Sequence, residues 1–368
     1  MQHEIDSLEQ FDAWASAPTG GQVAIQAVDL SERDATLRRI PVQNVMFLGC
    51  ELRESTAQSL RARGALVFPT LPDVPFDIYR NGLHTCAELY AGLETGYETT
   101  PDARIYAWSR TPEASSLRGT LAQALHDHAI SDALDELVEQ VDDARCIGIM
   151  GGHAARRGGE TYRQAALLGA RLAQSGRIVM TGGGPGAMEA GNLGARLHRD
   201  PAALEEALLL LAEVPSFTSV DEGGPGITAW ARQAMAVCER FPDAATSVGI
   251  PTWFYGHEPP NPFATHIAKY FSNAIREDIL LRKCRGGIIY LTGAAGTVQE
   301  VFQAATGNYY TGSGIEPAPM VLVGVEHWTR TIPAWPLRQA HGHGRAMGEH
   351  IPLVDTVEEA WQVLVAQA

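Results

Sequence analysis

The chain has 368 residues, with 28 Lys and Arg against 43 Asp and Glu and a net charge of -15, a balance that repels nucleic acid and anionic membranes at long range. That length calls for two domains with separate cores, and any phosphate has to be held by local geometry. Five scattered cysteines, Cys50, Cys86, Cys146, Cys238 and Cys284, lack CxxC spacing and fit buried thiols in a reducing cytoplasm, while the acidic N-terminus has no signal-peptide core and no apolar run spans a bilayer.

Residues 1–34 show no sustained periodicity and read as an arm or irregular lead-in. Asn44 to Leu48 is the first clear strand, ending at Gly49; a helix from Arg53 to Arg63 and a strand from Ala65 to Phe68 follow. This βαβ pattern favours a parallel sheet. After a proline-rich loop from Pro69 to Pro75, Ile105 to Trp108 reads as a short strand and Ser116 to Gln140 as a long helix or helix pair. That stretch marks the domain boundary, giving an N-terminal α/β domain over 1–140, of unknown role, and a second domain over 141–368.

From Cys146 the alternation is regular, with strands at Cys146–Met150, Ile178–Met180, Ser247–Phe254, Gly287–Leu291 and Met320–Val325. Helices are expected between them, among them Thr161–Ser175, with Ala165, Leu168 and Leu172 at helical spacing, and Thr228–Arg240 after the loop Glu222–Gly226. A last helix starts at Thr356, with Glu359 completing a capping-box pattern and Val357, Ala360 and Leu364 facing inward. Five strands with helical crossovers define a doubly wound parallel α/β domain.

Glycine-rich turns follow three of these strands. The first reads Thr181-Gly182-Gly183-Gly184-Pro185-Gly186-Ala187-Met188-Glu189, the second Thr292-Gly293-Ala294-Ala295-Gly296-Thr297-Val298-Gln299-Glu300, and a shorter one is Gly151-Gly152-His153. Turns of this kind let backbone amides approach an anion, and the following helix directs its positive end to the same place. In a doubly wound sheet, all three would line one crevice beyond the carboxyl ends of the strands. Gly182, Gly183, Gly184, Gly186, Met188 and Glu189, with Gly151, Gly152, Gly293, Gly296 and Thr297, are the candidate substrate-binding residues. A plainer reading of Thr297 to Glu300 is a capping box in which Glu300 only returns to its helix N-terminus, and one glycine-rich turn alone often serves only packing.

Taken together, these residues resemble the LONELY GUY (LOG) phosphoribohydrolases. The family signature is a GGG turn followed by PGGxGTxxE, matched here by Gly182-Gly183-Gly184 and by Gly296-Thr297-x-x-Glu300. The string Gly184-Pro185-Gly186-Ala187-Met188-Glu189-Ala190 looks more like the long bacterial branch, the pyrimidine/purine nucleotide 5′-monophosphate nucleosidases, and the resemblance covers roughly 144–325. It implies a Rossmann-like fold and a cytoplasmic hydrolase that cleaves the N-glycosidic bond of a nucleoside 5′-monophosphate to free base and ribose 5-phosphate. It also implies a homo-oligomer, dimer or tetramer, with no cofactor and no metal. The family's catalytic Glu falls on Glu300 and its Arg on Arg276, at a spacing one residue longer, with Arg282 as a lesser alternative. The carboxylate would stabilise an oxocarbenium-like sugar and orient water, while Arg276 holds phosphate or ribose oxygens.

The chain departs from the pattern at Thr292, where the family has Pro, and at Ala294, where it has a second Gly. Ala294 takes positive φ less readily than Gly, which implies a differently shaped loop. These departures favour the alternative of a non-catalytic protein that binds a phosphorylated ligand. A dinucleotide oxidoreductase fits less well, because the first turn lacks a GxGxxG with an acid at the end of the next strand. Further polar stretches are Trp253 to Glu258, read as base-stacking or as packing, His341-Gly342-His343, read as a loop and not a metal site, and Asn308-Tyr309-Tyr310, a possible pocket cap. The two lysines, Lys269 and Lys283, lack a cofactor motif for Schiff-base chemistry.

Overall fold

The computed structural model describes residues 3–19, 21–254, 258–311, 316–348 and 351–366. The chain divides into two compact units, Met1–Leu83 with Ala107–Ala133, and His84–Tyr106 with Leu134–Ala368.

The first unit holds a four-stranded parallel sheet, β1 (His3–Ile5), β2 (Val23–Gln26), β3 (Val45–Leu48) and β4 (Leu66–Phe68), paired in chain order. Residues expected to be an irregular lead-in supply two of these strands and a helix, Leu8–Ser16, whose Ser7 side chain accepts from the Gln10 amide. Phe11 and Trp14 on that helix pack with Ile5, Ile25 and Phe47 in the core. The stretch Ile105 to Trp108, expected as a strand, lies instead within the helix Pro101–Ser109. Pro at the first helical position suits that start, since its missing N–H would have had no helical partner. The long helix runs from Leu117 to Val141.

The second unit is built on a seven-stranded sheet, β5 (Cys146–Met150), β6 (Ile178–Thr181), β7 (Ser247–Gly249), β8 (His266–Ile267), β9 (Gly287–Tyr290), β10 (Met320–Val323) and β11 (Leu353–Val354). Its order is β11-β10-β9-β5-β6-β7-β8, and every pairing is parallel. The strand expected over 247–254 stops at Gly249, and Pro251 supplies no N–H to continue it. β8 and β11 extend the five expected strands to seven. β5, β6, β9 and β10 are buried at every position, as a parallel sheet covered on both faces requires. This is a Rossmann-like, doubly wound α/β fold.

The chain winds outward from β5 through β6 to β8, then returns to the other side of β5 to build β9 to β11. The carboxyl ends of β5, β6 and β9, which carry the three glycine-rich turns, therefore meet where the winding reverses. Helix Ala187–Arg196, which follows the first turn, is buried from Ala187 to Ala195. It lies so close to helix Glu160–Gln174 that a Cβ on Gly194 would fall 1.8 Å from the Ala166 carbonyl oxygen, which fixes the height of that helix and hence of the turn. At the C-terminus, Thr356 and Glu359 make the expected reciprocal cap, and Ala360 and Leu364 are buried.

Candidate active site

Main-chain hydrogen bonds tie the three turns together. The Gly152 amide donates to the Thr292 carbonyl (3.1 Å), and the Ala187 amide donates to the Gly152 carbonyl (3.3 Å). Gly151 and Gly152 thus form a bridge between the first and second turns. Gly186, at φ +76°, packs on the carbonyls of Gly152 and His153 at distances that leave no room for a side chain.

The first turn is clamped to the helix that follows it and to the loop at Asn261. Thr181 Oγ1 donates to Asn192 Oδ1 (2.7 Å) and accepts from the Gly183 amide (3.0 Å), while the Asn261 amide donates to the Gly183 carbonyl (2.8 Å). Gly183 sits at φ +72°, and a Cβ there would lie 2.8 Å from the Ile250 nitrogen. Gly182 and Gly184 pass over the Met188 side chain; Met188 is buried beneath the turn, beside Arg276.

The second turn opens helix Ala295–Tyr309, with Ala294 as N-cap and no side-chain cap. The capping-box alternative for Thr297 and Glu300 is therefore not realised. Ala294 adopts φ -114°, so the alanine that stands where the family pattern has Gly is not required to take a positive φ. Thr297 is buried with its side chain against Gly293, and His327 Nε2 lies 2.9 Å from the Gly293 carbonyl oxygen. The longer 3.4 Å contact from the Gly293 amide to the same nitrogen needs the other tautomer, and the shorter bond is the better one. Ala294, Ala295 and Gly296 are exposed, and a Cβ on Gly296 would meet nothing within 4 Å. An uncapped helix N-terminus beside open space is suited to an anion.

Arg276 and Glu300, twenty-four positions apart in the sequence, lie side by side. Arg276 projects from helix Asn273–Lys283, started by the Ser272 side chain accepting from the Ile275 amide. Arg276 Nε donates to the Ile250 carbonyl (2.7 Å), Nη2 to the Gly182 carbonyl (3.2 Å) and Nη1 to Glu277 Oε2. Nη1 is 4.0 Å from Glu300 Oε1. Arg276 is expected to hold phosphate or ribose oxygens; its guanidinium braces the first turn against the end of β7 and, among the described residues, keeps one N–H on each Nη uncommitted. Arg282 makes a surface ion pair with Asp278 and takes no part in this cluster.

Glu300 is 6% exposed. Burial pushes its carboxyl up to about 8; Arg276 pulls the other way, and Glu277 adds to the rise. The group therefore favours the neutral acid at pH 7, where the family resemblance implies a carboxylate. Glu277, buried and bonded to Arg276, was not singled out in the sequence, although it adjoins Arg276 in the chain.

Glu189 is fully buried and held by Arg157. Its Oε1 accepts from Arg157 Nε (3.0 Å) and from Nη2, and both side chains are buried, with Arg157 also over the Trp230 ring. Trp253 is likewise a packing residue. Its Nε1 donates to Asp102 Oδ1 (2.9 Å), the oxygen that also accepts from Lys269 Nζ (2.6 Å), while Tyr97 donates to Oδ2 (2.6 Å). Residues 255–257 of that stretch lie outside the described residues, and Glu258 meets His153 Nδ1 at 3.2 Å. Asn308 hydrogen-bonds the main chain of Ala318, and Tyr309 stacks on His341, so both serve packing in the C-terminal part of the unit. A cavity of about 940 Å³ adjoins the first turn at Pro185, Gly186 and Glu189, but its walls include neither Arg276, Glu300 nor the second turn.

No family model matches this chain, and no curated protein matches it. Among solved structures, a molybdenum cofactor binding protein from the phototrophic bacterium Rippkaea orientalis is 15% identical, covering 60% of this chain and 95% of its own at a TM-score of 0.37. A protein denoted TM1055 is 19% identical, covering 60% of this chain and 99% of its own at a TM-score of 0.34. At these values neither likeness bears on function. Among the described residues, no helix is long and apolar enough to cross a membrane.

Proposed function

We propose that the protein hydrolyses the N-glycosidic bond of a nucleoside 5′-monophosphate, as in the LOG-type phosphoribohydrolases whose motifs it resembles, giving free base and ribose 5-phosphate. The observation that supports this reading best is the placement of a buried acid, Glu300, one turn into the helix whose uncapped N-terminus faces open space. A phosphate held by the first amides of that helix would bring the attached ribose toward Glu300 and Arg276. Glu300 then exchanges a proton with the leaving base or the attacking water, and its negative form stabilises positive charge on the sugar. The same reading makes the protein a cytoplasmic homo-oligomer, dimer or tetramer, that needs no cofactor or metal; scattering mass tests its assembly.

The experiment is incubation with a panel of purine and pyrimidine monophosphates and chromatographic detection of free base. Release is expected from at least one of them and is lost in Glu300→Ala. Binding of a monophosphate with no release from any member of the panel would instead establish a phosphorylated-ligand binding protein, a reading supported by the commitment of three Arg276 contacts to the protein itself.

A further inference from the structure

We propose that Glu277 is a positioning residue: by taking the Nη1 edge of Arg276 in a hydrogen bond, it leaves Glu300 only a longer, 4.0 Å approach to the same guanidinium and so keeps Glu300 as the proton donor of the pair. This rests on the hydrolase reading for its chemistry, but the geometry stands independently. Arg276 is fixed at Nε by Ile250 and at Nη2 by Gly182, so its plane cannot turn toward Glu300 without breaking the contact that braces the first turn. Within that fixed plane, Glu277 sits at hydrogen-bond distance from Nη1 and Glu300 at 4.0 Å. Both acids are buried, and one guanidinium serves the two.

The groups facing Glu300 reinforce this division. Arg276 and Glu277 approach from helix Asn273–Lys283. Cys284 and Tyr290 lie within electrostatic range from the end of that helix and from β9, with Arg338 beyond Tyr290. Two buried carboxylates sharing one cation do not both ionise readily, and Glu277 is the one hydrogen-bonded to it.

The consequence is a defined proton path. As the C1′–N bond breaks, its electron pair leaves with the base, and Glu300 transfers its proton to a base nitrogen. Water adds to C1′ of the oxocarbenium-like sugar, and the proton it releases returns to the Glu300 carboxylate. The sum is nucleotide plus water giving base plus ribose 5-phosphate, with Glu300 restored to the acid.

The test measures the titration of Glu300 in the full-length, ligand-free chain by carbon-13 NMR of glutamate carboxyls, assigning the signal by its loss in Glu300→Gln. In Glu277→Gln the Glu300 titration should fall by about one pH unit or more, and Glu277→Asp should restore most of it. An unchanged titration in Glu277→Gln overturns the proposal. Should Glu277→Gln not fold, the unaltered chain decides: a spectrum at pH 7 with Glu300 ionised also overturns it. If the titration moves as expected while no nucleotide is cleaved, the hydrolase reading fails and the role of Glu277 in setting Glu300 stands.

Discussion

Replacing Glu300 by Gln should change how the stability of the fold depends on pH. An ordinary glutamate loses its proton near 4.5, whereas Glu300 in the folded chain holds it to about 8. Between those values the folded state carries a proton that the unfolded chain has lost, so folding stability falls as pH rises through the window. At about 1.4 kcal/mol for each tenfold difference in proton affinity, the loss approaches about 5 kcal/mol by pH 8; solvent relaxation around a buried acid would reduce it. Glu300→Gln keeps the shape of the neutral acid and removes the titration. Urea unfolding of both proteins at pH 5, 6, 7 and 8 isolates the effect, since titrating groups not coupled to Glu300 cancel in the difference. The variant should gain on the parent steadily with pH and level off above about 8. A difference that stays flat from pH 5 to 8 would refute the argument, because it would mean that Glu300 ionises as easily in the folded chain as in the unfolded one.

Base release, if the proposed reaction occurs, should decline above about pH 8 as Glu300 loses its proton, which a pH profile of kcat/KM measures. Gly183→Ala places a side chain at φ +72° and 2.8 Å from a backbone nitrogen, so it should cost about 1–3 kcal/mol in denaturant unfolding. Glu189→Gln removes the counter-charge of buried Arg157 and should destabilise by about 3–5 kcal/mol; a cost below about 1 kcal/mol would show that the pair is not buried as described.

The parts of the fold visible in the sequence were those with long apolar runs. β5 and β9 are buried on both faces, so their residues are apolar without interruption and their glycine-rich ends stand out. β8 and β11 are two residues each, too short to show a period, and β1 has only Ile5 fully inside. The four residues Ile105 to Trp108 fit a strand or a helix equally well; Pro101 with Asp102 behind it was the start signal that should have decided for the helix. Glu189 makes a contact of another kind. Its whole helix is buried, and it pairs with Arg157, thirty-two positions upstream, a pairing with no local signature.

Arg276 carries the most instructive case, because its side chain also has structural work that its place in the sequence does not announce. Its contacts to Ile250 and Gly182 make it part of the scaffold of the first turn, so lost activity in Arg276→Ala would not identify a phosphate ligand. Gly296→Ala separates the two roles. Its added methyl meets no protein atom within 4 Å, and alanine is the better helix former, so unfolding stability should hold or rise by up to about 1 kcal/mol. If a phosphate occupies the helix N-terminus, the same methyl intrudes on it and KM rises while Arg276, Glu277 and Glu300 remain in place. Arg276→Ala should instead lower stability along with activity, since it removes the brace and leaves Glu277 as a buried charge without its partner. An unaltered KM in Gly296→Ala would move the phosphate away from this helix and, with it, the ribose away from Glu300.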